Sequence, residues 1–130
     1  MTEEPCPFCE IVAGRAQAQI VEEWTDTLAF VPLDPMVEGH LLVIPKVHVQ
    51  DFTDNPRVAG DTMERAGELA AGMGSYNVIT SKGLPATQSV FHLHLHLVPR
   101  SWGDGVALPW YSGKTTRKGK TTCRSHRETQ

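Results

Sequence analysis

A chain of 130 residues, 40% of them hydrophobic and with a formal charge of −3, has room for one soluble domain with a sizeable core. No apolar run approaches the length of a membrane span, and the acidic opening Met1-Thr2-Glu3-Glu4 is unlike the basic start of a secretory signal, so a cytoplasmic protein without membrane contact is expected. The charge is uneven: residues 113–130 carry six of the twelve Lys and Arg against one acid, a local +5 that leaves −8 on the first 112.

Cys6-Pro7-Phe8-Cys9 is a Cys-x-x-Cys. In a reducing compartment this leaves a redox pair, half of a zinc site, or two thiols capping a short helix. No βαβ pattern of a redox fold follows, and His48 and His92 are the best partners in the sequence for a metal held by Cys6 and Cys9. A short helix is expected over 8–13, ended by Gly14. Residues 20–24 and 27–31 read as two strands joined at Thr25-Asp26, with Trp24 in the core. Leu41 to Ile44 is an apolar run of the kind a buried strand carries; Gly39 lets the chain turn into it, His40 stands at its start, and Pro45 ends it. Lys46 is expected to be a solvated charge.

Asn55-Pro56 is a helix start, a capping residue followed by Pro at the first helical position. Val58, Thr62, Met63, Ala66, Leu69, Ala70 and Met73 then recur at helical spacing, which predicts one long helix closed near Gly72 and Gly74. Residues 76–80 alternate as a strand, and 81–87 form a loop. The chain then reaches Gln88-Ser89-Val90-Phe91-His92-Leu93-His94-Leu95-His96-Leu97-Val98-Pro99-Arg100, with half of the six histidines at every second position. On one strand, His92, His94 and His96 share a face while Phe91, Leu93, Leu95 and Leu97 form the other. Imidazoles about 6.5 Å apart suit a long anionic substrate, because each can attack phosphorus or hydrogen-bond a phosphoryl oxygen near neutral pH. The tail 113–130 has no hydrophobic periodicity and reads as a disordered extension; an arm for nucleic acid is its less favoured alternative.

His92-Leu93-His94-Leu95-His96-Leu97-Val98, with Gln88-Ser89 before it and Pro99-Arg100 after it, resembles the signature of the histidine triad (HIT) family. Gly39-His40-Leu41-Leu42-Val43-Ile44-Pro45-Lys46-Val47-His48 is similar to that family's second signature. The likeness runs from about Cys6 to Trp110, so a HIT domain is expected over 1–112. It implies an α+β fold with a five-stranded antiparallel sheet, one long helix and a short N-terminal helix, two subunits joining as a homodimer with a ten-stranded sheet. Relatives with the N-terminal Cys pair bind structural zinc through it, the histidine after Pro-Lys and the first triad histidine, here Cys6, Cys9, His48 and His92.

The resemblance further implies a hydrolase acting on the α-phosphate of purine nucleotide conjugates: nucleoside phosphoramidates, acyl adenylates or dinucleoside polyphosphates. His94 is the expected nucleophile, forming a nucleotidyl-histidine. His96 would hold phosphate oxygens and serve the leaving group, and His40 would orient the set. Gln88 and Ser89 stand where the family places phosphate contacts. Ser81 stands where many members carry Asn. The family's ribose-binding acid falls on Pro32, which has no side-chain acceptor, and Asp34 is the nearest substitute. Leu108-Pro109-Trp110 resembles the segment that closes a neighbouring subunit's site. The departures at Pro32 and Ser81 leave one alternative, a non-catalytic nucleotide sensor or partner-binding module on the same fold.

Overall fold

A computed structural model of the protein describes residues 5–114; the expected basic tail lies, from residue 115 on, outside the described residues. These residues divide after Pro99 into two compact units.

The first unit runs α1 (Pro7–Val12), β1 (Gln19–Glu23), β2 (Thr27–Val31), β3 (Leu41–Pro45), α2 (Pro56–Ala70), β4 (Tyr76–Ile79) and β5 (Leu95–Pro99). The strands form one antiparallel sheet in the order β1-β2-β3-β5-β4, the α+β architecture expected from the sequence. β3 is central and buried throughout, and its alternating side chains feed two cores. Leu41 and Val43 pack with Ala29, Leu93, Leu95 and Leu97 beneath α2, which contributes Val58, Ala66 and Leu69. Leu42 and Ile44 join Phe8, Leu28 and Phe30 on the opposite face, closed by Ile11 and Val12 of α1. The sheet thus separates a structural face under α2 from a face that α1 shares with the histidines.

α2 begins as its sequence indicates: the Asn55 side chain accepts the backbone N–H groups of Arg57 and Val58 at 3.2 and 3.3 Å, a cap worth about 1 kcal/mol. Met63, expected on the apolar side, is 47% exposed; Thr62 and Ala66 define the buried line, and one residue beyond Thr62 the helix has turned about 100° away. Arg65 ties α2 to the β1–β2 turn, 3.2 Å from Asp26 and over the ring of Trp24, which packs against the core. Lys46 is paired with Glu23 at 2.7 Å rather than simply solvated. Gly39 enters β3 at φ +93°, where a Cβ would come within 3.2 Å of Pro99 Cγ; only glycine meets both demands cheaply.

The triad strand departs from expectation. Regular pairing covers only Leu95–Pro99, and the segment carrying His92 and His94 lies before the ladder begins. Pro45, at the end of β3, has no N–H to give, and its carbonyl accepts from the His92 ring instead. The Leu93 N–H turns to the Val49 carbonyl at 2.8 Å. Phe91, expected in the core, is 37% exposed, while Leu93, Leu95 and Leu97 are buried as predicted.

In the second unit, Arg100 grips Asp104 through two hydrogen bonds of 2.8 and 3.0 Å and reaches the Val106 carbonyl. That guanidinium and two backbone N–H groups hold the Asp104 carboxyl far below the usual carboxylate range. Leu108 and Tyr111 close a small antiparallel bridge, which leaves Trp110 exposed. Among the described residues no helix is long and apolar enough to cross a membrane.

Candidate functional site

Two groups of side chains converge on the α1 face. The first is Cys6, Cys9, His48 and His92. Cys6 caps α1, its Sγ accepting the Cys9 N–H, and the helical turn brings both sulfurs to one side. His48 follows closely on β3. His92 is fully buried, and its Nε2–H donates to the Pro45 carbonyl at 2.8 Å, which fixes the tautomer and leaves Nδ1 bare. That Nδ1 lies 3.5 Å from Cys6 Sγ, 3.6 Å from Cys9 Sγ and 3.2 Å from His48 Nδ1; Cys9 Sγ and His48 Nδ1 are 3.3 Å apart.

A tetrahedral zinc with ordinary bond lengths requires separations of about 3.5 Å between sulfur and nitrogen and about 3.3 Å between nitrogens. The four donor atoms, all within 4.8 Å of one another, fit that ion. The Pro45 carbonyl supplies the outer hydrogen bond that orients a ligating histidine. Burial, then the neighbouring Cys6, pushes the Cys9 thiol up to about 11, so this geometry opposes a bare thiolate at Cys9 and suits a dication beside it. The quartet expected from the sequence is therefore assembled as a site for a metal ion. Zinc there would supply a cross-link between α1, the end of β3 and the segment before β5.

The second group is His40, His94 and His96. The ring centroids of His94 and His96 are 5.1 Å apart, and those of His40 and His96 5.2 Å. The hydrogen bonds settle where the protons sit. The Met36 N–H donates to His40 Nδ1 at 2.9 Å, so neutral His40 carries its proton on Nε2 and gives it to His96 Nδ1 at 3.0 Å. His96 in turn keeps its proton on Nε2. His94 donates from Nδ1 to the His92 carbonyl at 2.8 Å, which leaves Nε2 with a free lone pair. Burial lowers the proton affinity of all three rings. His96 falls to about 4, from burial first and then from the nearby His94 and His40. At neutral pH the group is thus a nucleophilic nitrogen beside an N–H donor, both uncharged.

The loop 81–89 supports this arrangement differently from what its residue types suggest. Gln88 is buried, its Oε1 accepting the Gly83 N–H and its Nε2 donating to the carbonyls of Gln50 and Val90. Both of its amide hydrogens are therefore spent on holding the loop. Ser89, the next residue, is exposed, Ser81 half-buried, and Asp34 exposed in the loop before Gly39. Thr87, a β-branched residue, sits at φ +73°, a conformation such residues rarely adopt.

Several contributors escaped the sequence reading. The Met36 N–H is a backbone group with no signature. Thr80, whose hydroxyl donates to the His94 carbonyl at 2.7 Å, looked like an ordinary strand residue. Phe8, between the two cysteines, meets the rings of His92 and His94 edge-on; its place inside the Cys-x-x-Cys was the available signal.

A five-stranded antiparallel sheet bearing a histidine cluster beside a Cys2His2 quartet places the chain among α+β proteins. The chain belongs to the HIT family: the HIT domain model matches residues 13–102. It is 36% identical over 111 residues to an uncharacterised HIT-like protein of Methanocaldococcus jannaschii, covering 79% of this chain and 84% of that one. It is 35% identical over 114 residues to the adenosine 5'-monophosphoramidase of Saccharomyces cerevisiae, covering 85% and 72%. Among solved structures it resembles a zinc-bound histidine triad family protein from Mycobacterium smegmatis, with TM-score 0.69, 37% identity and coverage of 78% and 79%.

Proposed function

We propose that this protein is a nucleotide hydrolase that cleaves the α-phosphate of purine nucleotide conjugates through a nucleotidyl-histidine on His94. The observation that carries the reading is the hydrogen bond from His94 Nδ1 to the His92 carbonyl, which leaves Nε2 bare beside the N–H of His96. The yeast relative, named as an adenosine 5'-monophosphoramidase, supports the substrate class.

In the first step His94 Nε2 attacks the α-phosphorus and the bond from phosphorus to the leaving group breaks: a nitrogen already protonated from solvent departs as the neutral amine, and a carboxylate or phosphate oxygen departs as the anion. The ring becomes an N-phosphoryl imidazolium whose positive charge strengthens the Nδ1–H bond to the His92 carbonyl, a contact worth more in the transition state than before it. His96 Nε2–H hydrogen-bonds the phosphoryl oxygens as charge builds on them. In the second step water attacks the same phosphorus, the P–Nε2 bond breaks, and the mononucleotide leaves with His94 neutral again; the protons of the water pass to phosphate and solvent. Because His96 is a neutral donor with its proton affinity lowered, it stabilises charge better than it delivers a full proton. Phosphoramidates, whose leaving nitrogen brings its own proton, suit such a site, ahead of acyl adenylates and dinucleoside polyphosphates.

Gln88 shapes the phosphate loop from beneath, Ser89 and Ser81 offer hydroxyls to phosphate, and Asp34 takes the sugar. The protein works as a cytoplasmic homodimer, with Leu108-Pro109-Trp110 lending closure to the partner's site. The test is AMP release from adenosine phosphoramidate, an acyl adenylate and diadenosine tetraphosphate, for wild type beside His94→Ala. Turnover of the phosphoramidate with the highest kcat/KM, abolished by the substitution, is the expected result. Tight nucleotide binding with no turnover of any of the three would favour the sensor reading instead.

A further inference from the structure

We infer that Phe8 is a positioning residue that links the Cys6–Cys9–His48–His92 centre to His94, so that the metal site sets the orientation of the nucleophilic ring. The inference rests on the reading of His94 given above.

Phe8 lies between the two cysteines on the six-residue helix α1, so whatever fixes the two sulfurs fixes its backbone from both sides. Its side chain is 8% exposed and stands edge-on to three rings: Phe30 at 5.5 Å and 72°, His92 at 5.8 Å and 76°, and His94 at 5.1 Å and 85°. One phenyl therefore touches the metal-facing histidine and the nucleophile together. Edge-to-face contacts have a preferred geometry, so a ring held this way is oriented as well as buried.

His94 needs such a wall. It precedes the start of the β5 ladder, and among the described residues its imidazole makes one hydrogen bond, from Nδ1 to the His92 carbonyl, with the His96 ring 5.1 Å away. An imidazole can turn half a revolution about its terminal torsion into a broad second well. That turn would exchange the ring edges and take Nε2 away from the phosphorus. The Phe8 ring, packed against one side, closes off that motion, and attack geometry is sensitive to displacements of about 1 Å. The cross-link that zinc supplies would hold α1, and with it Phe8, against the sheet.

The experiment uses the zinc-loaded protein labelled with nitrogen-15 at histidine, held at pH 8. Wild type is compared with Phe8→Leu, Phe8→Tyr and Leu28→Val; the last trims an aliphatic side chain of the same core cluster. Three quantities are read: zinc per chain, the ring-nitrogen spectrum of His94, and kcat and KM for adenosine phosphoramidate. Phe8→Leu is expected to keep its zinc and a KM within about threefold, while kcat falls about tenfold or more. Its His94 nitrogens should move from the fixed Nδ1–H pattern toward an average of both tautomers. Phe8→Tyr should retain the wild-type pattern and rate, and Leu28→Val should leave the pattern unmoved.

Chelation of wild-type protein should shift the His94 spectrum as Phe8→Leu does, and this arm needs no substitution to fold. A spectrum unchanged by chelation with zinc gone and the sheet intact, or one altered equally by Leu28→Val, overturns the inference. If wild type hydrolyses no phosphoramidate but the spectrum responds to Phe8 and to chelation, the link stands and the substrate reading falls.

Discussion

His92 and His94 are two residues apart, and each gives a ring proton to a backbone carbonyl, but from opposite nitrogens. His92 donates from Nε2 to Pro45 and presents bare Nδ1 to the cysteines. His94 donates from Nδ1 to His92 itself and keeps Nε2 bare. The same residue type is thereby divided between a bare Nδ1 facing two cysteines and a bare Nε2 beside His96, and the division is made by which carbonyl lies within reach. Side-chain chemistry alone would not separate them; the departure of residues 92–94 from the sheet ladder does.

The largest consequence of this division is on the His94 side. His94→Ala should lower kcat by at least about 10⁴-fold, as loss of a covalent nucleophile does, with nucleotide Kd within about threefold in a direct binding titration. On the His92 side the effect should fall on stability instead. Cys9→Ser, or chelation, should lower the midpoint of thermal unfolding by about 10 °C or more, since binding energy at a structural metal is folding energy. An unchanged midpoint with zinc absent would dissolve the contrast between the two groups.

His40→Phe removes the N–H given to His96 while keeping an aromatic ring, and kcat should drop about 10²-fold with little change in zinc content. The pH dependence of stability sharpens the same point. Burial lowers the proton affinity of His40 and His96 in the folded chain, so below pH about 6.5 the unfolded chain binds protons that the folded one refuses. Their contribution is present at neutral pH and is lost as the pH falls from about 6.5 toward 4, the value to which His96 is pushed. His96→Gln should flatten that slope in urea unfolding across the window.

The elements that position both groups were legible from local chemistry. The run Leu41 to Ile44 gave the central strand, Asn55-Pro56 the start of α2 and Cys6-Pro7-Phe8-Cys9 half of a metal site, because each signal lies in residue types and short spacings; His48 and His92, 39 and 83 residues beyond Cys9, joined it with the support of the HIT resemblance. The bend before Leu95 was not, since it depends on Pro45 and Val49, more than 40 residues upstream, offering carbonyls to His92 and Leu93. Gln88 was legible only in part for a related reason: its place just before the histidines is local, but its partners Gly83, Gln50 and Val90 appear only in the fold. Thr87 at φ +73° was hidden because a β-branched side chain predicts the opposite. Replacing it with Gly should relieve that strain against a greater loss of chain entropy, leaving a net gain of about 0.5 kcal/mol in urea unfolding.

The most direct test of the division between His92 and His94 is intact-mass spectrometry of protein mixed briefly with adenosine phosphoramidate and quenched in base, where phosphoryl-histidine survives. The expected result is one added AMP moiety on wild type, mapped by fragmentation to His94 and absent from His94→Ala. An adduct on His92 or on His96, or AMP release at the wild-type rate by His94→Ala, would contradict it.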